Sequence, residues 1–366
     1  MKNICFILLC LSVPAWSQDR EITFPDVPGY QTLVCDLHQH TVFSDGSVWP
    51  DIRVQEALLD GLDAISLTDH IEYQPHKADI PHPDRNRSFE VAKEWASARD
   101  EDLIIIHGTE ITRSMPPGHS NAIFVKDVNK LIIDDPIEAY REANRQGAFV
   151  FWNHPHWPAQ KPDGIAELTD MHRQLIEEGL LHGVEVVNDV TYSDEALALT
   201  QANNLTIMGT SDIHGLVDWV YDIPGGGHRP VTLVFANERS EASIKEALFA
   251  KRTVAWFKNN LIGNEEVLVP LLNSCLSVES ASYMEKTSVV TASITNHSDA
   301  NMVLLNQSDY TLHQNSDLVE IPAHDTVELL VKTVGKVDSF QMQFQVLNAL
   351  TAPGKHPTIT LSFKTQ

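Results

Sequence analysis

Between about residue 33 and residue 257, short apolar runs alternate with helix-length amphipathic stretches, and this alternation constrains the chain more than any other feature. The runs are "TLVCDLH", "AISLTDH", "LIIIHGTEIT", "NAIFVK", "AFVFWNH", "GVEVVND" and "TIMGTSDIH". Strands that alternate with helices imply a parallel sheet, and about seven such units in a row imply an α/β barrel. Two of the helical stretches carry readable ends. "DPIEAYREANRQG" has Asp135 as a candidate N-cap, Pro136 in the first turn and Gly147 just past the end, and "SEASIKEALFAKR" begins at the candidate cap Ser240. After about residue 265 helical periodicity fades. "SVVTASITN", "TVELLVKTV", "FQMQFQVLN" and "TITLSF" alternate or are β-branched, which predicts a small all-β, sandwich-like domain. The expected organisation is a barrel over 18–262 and a β-rich domain over 263–366, with no internal repeat.

Nearly every apolar run closes on metal-type ligands. The first closes on His38, His40 and Asp45, and the second on Asp69 and His70. The third closes on Glu110, with His119 in the following loop; the fifth closes on His154 and the last on Asp212 and His214. In parallel α/β barrels the C-terminal strand ends converge on one mouth. Imidazole and carboxylate together suit Zn, Mn or Fe ions. So many carboxylates at one mouth would repel each other unless cations lay among them. Residues two apart on a strand share a side, so His38 and His40 can serve one ion, as can Asp212 and His214. A single H-x-H is weak, and 17 histidines make accidental pairs common. The ordered set of H-x-H, D-H, G-x-E and D-x-H, each ending a predicted strand, is not readily accidental. Two or three divalent ions are expected, because one ion cannot use all these groups.

The start of the chain reads as a secretory leader. Lys2 precedes the apolar "ICFILLCLSVPAW", which is too short to span a bilayer comfortably, and Ala15-Trp16-Ser17 is a small-x-small cleavage site. Cleavage before Gln18 would send the protein to the periplasm or the medium. Leu9 before Cys10 argues against a lipoprotein cysteine, and no later stretch reads as a membrane span. Cys5 and Cys10 leave with the leader. Cys35 and Cys275 remain, either as a pair or as two separately buried thiols, the second being the plainer expectation. The net charge is −24, and removal of Lys2 with no acid takes it to about −25. Such a surface disfavours a DNA or RNA partner. It leaves room for a small anionic ester, since bound metal ions invert the field inside a pocket. No feature of the sequence speaks to oligomeric state.

The motifs "DLHQHTVFSDG", "LTDH", "HGTE", "GHSN", "NHP" and "SDIHG" resemble those of the polymerase-and-histidinol-phosphatase (PHP) family of metal-dependent phosphoesterases. The resemblance covers roughly residues 33–257. Within the family the chain is similar to the exported phosphodiesterases, which include enzymes acting on organophosphate diesters. The resemblance implies a distorted (β/α)7 barrel with a trinuclear site. His38, His40, Glu110 and Asp212 would hold one ion. Glu110 would bridge to a second, held by His119 and His154, and Asp45, His70 and His214 would hold the third. Bridging ions make hydroxide available at neutral pH, and its in-line attack on phosphorus needs no serine or cysteine nucleophile. The ions would also clamp the non-bridging oxygens. No nucleophile-elbow or P-loop motif is present.

Other residues near the motifs are candidates for substrate binding or proton transfer. Asp69 would orient a ligand, accept a proton, or simply hydrogen-bond at a strand end. Arg113 is a candidate phosphoryl contact, His228-Arg229, after Gly225-Gly226-Gly227, are expected on a mobile loop at the mouth, and Arg252 is a further candidate cation late in the barrel; the alternative for each is a solvated or salt-bridged surface group. Trp152, Trp157 and Trp219 could line an apolar pocket, with core packing for at least one. His76, His82 and His156 are expected non-ligands, and "PHKADIPHPD" reads as an exposed loop or lid. The expected partner is a small phosphate ester, a diester before a monoester. Hydrolysis of a C–N or carboxylic ester bond at the same site, or a binding role for the β-rich tail, stand as alternatives.

Overall fold

The computed structural model describes residues 20–365, so the leader read over 1–17 lies outside the described residues. The first domain is built on strands β1 (Gln31–Gln39), β2 (Ala64–Leu67), β3 (Ile104–Ile111), β4 (Ser120–Ile123), β5 (Phe149–Trp152), β6 (Gly183–Asn188), β7 (Thr191–Tyr192), β8 (Thr206–Thr210), β9 (Val231–Ala236), β10 (Thr253–Phe257) and β11 (Asn260–Gly263). Their order in one curled sheet is β11-β10-β9-β1-β2-β3-β4-β5-β6-β7, with β8 also paired to β6. The curl brings the end of β1 beside the chain leaving β8. There His40 N–H donates to the Ile213 carbonyl (3.0 Å), and Asp212 N–H donates to the His38 carbonyl (2.9 Å).

β1, β2 and β3 run parallel, as do β5, β6 and β8. The expected parallel order is interrupted at β4, which is antiparallel to both β3 and β5. Only residues 112–119 join β3 to β4. A parallel connection needs a crossover of about a dozen residues or more, so this segment can only turn the chain back. β9 is likewise antiparallel to β1, and β10 to β9. The result is a distorted barrel in which β4 carries His119 back to the ligand-bearing end of β3.

Burial explains the strand and helix positions. β1 is buried from Thr32 through Gln39, the pattern of a strand covered on both faces. Leu33, Leu37, Ile106, Phe151, Met208 and Val234 form one apolar cluster. Truncating one such side chain to Ala costs ~2–5 kcal/mol. Val54 and Ala57 of the helix Pro50–Leu59 pack in another cluster with Ile65, Leu67 and Ile105. The helix ends fall where the sequence marks them. Asp135 accepts the Glu138 N–H at the head of helix Pro136–Arg145, and Gly147 follows at φ +82°. Ser240 accepts the Ser243 N–H at the head of helix Glu241–Phe249.

The segment after residue 265 opens on a helix, Glu265–Cys275, where periodicity was expected to fade. Pro270 interrupts its reading, but Leu268, Leu271, Leu272 and Cys275 keep helical spacing and are buried. Then follow β12 (Leu276–Tyr283), β13 (Val289–Asn296), β14 (Met302–Asn306), β15 (Thr311–Leu312), β16 (Leu318–Ile321), β17 (Thr326–Lys332), β18 (Ser339–Val346), β19 (Ala349–Leu350) and β20 (Thr358–Lys364). Two four-stranded sheets, β12-β13-β17-β15 and β16-β14-β18-β20, pack through alternating inward residues such as Ile294, Val331, Met342 and Phe344. β19 leaves the sandwich and pairs parallel with β11, which ties the domain to the barrel sheet. Cys35 and Cys275 are both buried and unpaired, in different apolar clusters. No helix among the described residues is long and apolar enough to cross a membrane.

Candidate metal centre

The ends of β1, β3 and β5, the start of β4, and the chain following β2 and β8 bring His38, His40, Asp45, His70, Glu110, His119, His154, Asp212 and His214 together. His38 and His40 face each other with Nε2 atoms 3.0 Å apart. Asp212 Oδ1 lies 3.1 Å from the first and 3.0 Å from the second. Glu110 is fully buried at the centre. Its Oε2 lies 3.5 Å from His40 Nε2 and 2.6 Å from His70 Nδ1. Its Oε1 lies 2.9 Å from His119 Nδ1 and 3.6 Å from His154 Nε2. Asp45 reaches His70 and His214, each at 3.3 Å. Donor atoms converge to within 4.8 Å in three groups: His38, His40 and Glu110; His70, Glu110 and His119; and His40, Asp45, His70 and His214.

Local backbone delivers these groups. The loop after β1 doubles back so tightly that a Cβ at Gly46 would lie 2.6 Å from the His40 carbonyl carbon and the Thr41 nitrogen. That turn brings Asp45 Oδ1 to 3.6 Å from His40 Nδ1. Asp69 accepts from Thr41 N–H, Thr41 Oγ1 and Ser44 Oγ at 2.7–2.8 Å. It therefore pins the loop that carries Asp45 and does not itself face the ligand atoms. His154 and Asp212 both adopt left-handed φ, 31° and 49°, a strained conformation for such residues that functional sites often retain.

Three residues that the sequence reading passed over hydrogen-bond the ligand-type groups. Glu185 in β6 is fully buried and lies 2.7 Å from His38 Nδ1. It also accepts from Thr210 Oγ1 and from the His154 amide. Asn153 donates to Glu110 Oε1 (2.8 Å), and Asn188 donates to both Glu185 and Asp212. The available signal for Glu185 was an ionisable residue inside the apolar run "GVEVVND".

The electrostatics and donor chemistry fit divalent ions. Burial opposes charge on His70, but Glu110 and Asp45 outweigh it and raise its pKa from 6.5 to about 10. Burial likewise opposes charge on His38, yet Asp212 and Glu185 hold it well above its ordinary value. His40, buried beside His214 and His70, is lowered to about 4. Against the same burial penalty, neighbouring histidines keep Glu110, Asp45 and Asp212 well below the usual carboxylate range. Among the described residues, Glu110 Oε2, Asp212 Oδ1 and His119 Nδ1 are buried with no hydrogen-bond partner. Carboxylate oxygens and imidazole nitrogens that converge in this way are donors a cation satisfies.

The other candidates lie elsewhere. Arg229 does not sit on a mobile loop at the mouth. It is fully buried and paired with Asp36 and Asp60. His228 stacks flat on Trp256, with ring centroids 3.5 Å apart. Both line a cavity of about 660 Å³ between barrel and sandwich that contains none of the nine ligand-type groups. Arg113 turns away to Glu72 and the Ile133 carbonyl, and Arg252 pairs with Glu246. Trp152 is core, Trp219 is 81% exposed, and Trp157 stands beside His119 and His154. His82 bonds the Ile80 carbonyl, His156 bonds Thr191, and His76 is half-buried outside the cluster. A second cavity, of about 500 Å³, opens on Asp45, His70 and His119.

Comparisons with known proteins agree with this architecture. An Ig-like domain profile matches residues 276–362. A curated but uncharacterized protein of Methanocaldococcus jannaschii, MJ1295, is 37% identical over 82 residues. That match takes in 22% of this chain and spans about a third (34%) of the relative's length. The crystal structure of a two-domain protein from Bacteroides vulgatus, containing a predicted PHP-like metal-dependent phosphoesterase, superposes with a TM-score of 0.87. It is 44% identical, over 94% of this chain and 99% of that one. With its curled α/β barrel, Ig-like tail and histidine–carboxylate centre, this chain belongs to the PHP-like metal-dependent phosphoesterases.

Proposed function

We propose that the protein is an exported phosphodiesterase that hydrolyses small phosphate diesters at a site of up to three divalent ions. The observation that carries this reading is Glu110, one buried carboxylate whose two oxygens face different sets of histidines. His38, His40, Glu110 and Asp212 would hold one ion. Glu110, His119 and His154 would hold a second, and Asp45, His70 and His214 a third. When bound, such ions lower the pKa of water and neutralise charge on phosphoryl oxygens. The chain's own residues supply the rigidity this chemistry requires. Glu185 orients His38, Asn153 holds Glu110, and Asn188 holds Asp212. Such outer partners fix imidazole tautomer and carboxylate direction. Export is supported by the leader pattern at residues 1–17.

The test pairs metal analysis with turnover. Elemental analysis counts ions per chain, while bis(p-nitrophenyl) phosphate and p-nitrophenyl phosphate are assayed on the native protein and His40→Ala. Two or three ions, with diester turnover that the variant loses, is the expected result. Monoester turnover alone would make the protein a phosphatase, and carefully prepared protein without bound metal would refute the site.

A further inference from the structure

The cavity over the ligands has two kinds of wall. Asp45, His70 and His119 form the polar one, and Tyr73, Met115 and Trp157 contribute apolar surface. Tyr73 and Trp157 are 52% and 43% exposed, which leaves aromatic surface in water that burial would stabilise. Each ring stands against a ligand-type histidine. Tyr73 meets His70 edge-on at 5.8 Å, and Trp157 lies 5.8 Å from His119 and 5.1 Å from His154. A turn from the Trp157 N–H to the His154 carbonyl (2.9 Å) fixes Trp157 to the segment carrying that histidine.

The charge of the lining is equally specific. Among the described residues, no Lys or Arg lines this cavity. Arg113, next in sequence to the lining residues Thr112 and Ser114, is engaged by Glu72. A phosphomonoester brings an additional negative charge, for which the cavity offers no Lys or Arg partner. A diester puts a carbon substituent in place of that charge, and a substituent needs apolar surface. We infer that Tyr73 and Trp157 are specificity-determining residues that grip an aromatic or similarly flat apolar substituent of the ester. The inference rests on the phosphodiesterase reading above and deepens it.

The test uses the metal-loaded full-length protein with bis(p-nitrophenyl) phosphate and methyl p-nitrophenyl phosphate, which share a leaving group and differ in the remaining substituent. The readout is the change in the ratio of their kcat/KM between variants, because the two esters differ in intrinsic reactivity. Tyr73→Ala and Trp157→Ala should each lower the ratio several-fold, and the double variant about tenfold. Trp157→Phe should retain most of it, and Trp219→Ala, at an exposed site outside this cavity, should leave it unchanged. Calorimetric binding of diphenyl phosphate against dimethyl phosphate gives a readout independent of turnover, and the diphenyl preference should collapse in the double variant. A double variant with native fold and metal content that keeps both ratios would overturn the inference. If the native protein with its metals cleaves no diester, the phosphodiesterase reading fails; equal affinity for the two phosphates would then overturn the aromatic grip on its own.

Discussion

Replacing Glu185 with Gln should weaken metal binding through His38 without altering a ligand. Glu185 Oε1 lies 2.7 Å from His38 Nδ1 and accepts from Thr210 Oγ1 at 2.6 Å. Its Oε2 accepts from the His154 amide at 2.7 Å and from Asn188 Nδ2 at 2.9 Å. Glutamine keeps one oxygen and turns the other position into a donor. If the amide NH2 faces His154 and Asn188, it meets two donors in a fully buried site, at ~1–3 kcal/mol for each left unsatisfied. If it faces His38 and Thr210, the hydroxyl can rotate to accept, and the imidazole can accept only by moving its proton to Nε2. That proton sits on the nitrogen aimed at Asp212 and His40, so the cheaper arrangement blocks ligation. Removing such an outer partner typically costs ~10–100-fold in metal affinity. Dialysis against graded chelator, with elemental analysis and activity measured at each step, should therefore show Glu185→Gln losing metal earlier and regaining activity at higher metal. A folded variant with native metal retention would refute the orienting role of Glu185.

Two further outcomes follow from the buried charges and histidines. His172, stacked on Trp152 and bonded to the Pro117 carbonyl, is lowered by burial to about 4 from 6.5. The unfolded chain takes that proton first, so stability should fall as pH drops from 6.5 to about 4, by up to ~3 kcal/mol for this group. Chemical denaturation across that range should show a shallower decline in His172→Gln; an identical slope would exclude His172 as a contributor. Arg229→Met should destabilise the fold by ~3–5 kcal/mol, because Asp36 and Asp60 lose their buried counter-charge. Unchanged stability with lost turnover would instead return Arg229 to a catalytic role.

The sequence by itself marked the fold class and the kinds of side chain gathered at the site. The alternation of apolar runs with capped helices marked an α/β barrel, and Asp135 and Ser240 cap their helices as written. These are local signals, carried by residue spacing and side-chain type within a single turn. The histidines and carboxylates at strand ends were legible for the same reason, since groups costly to bury rarely end an apolar strand without a partner. Tertiary structure decided what surrounds them. β4 turns antiparallel because its connection is too short to cross over. Glu185 looked like part of an apolar run until the curl of the sheet laid it against His38, 147 residues away in the chain. Arg229 looked like a mobile cation at the mouth, yet it pairs with Asp60 and Asp36, 169 and 193 residues distant. Long-range pairs of this kind are fixed by the closure of the sheet, so the ligand types can be read along the chain, while the residues that aim them emerge only when its ends meet.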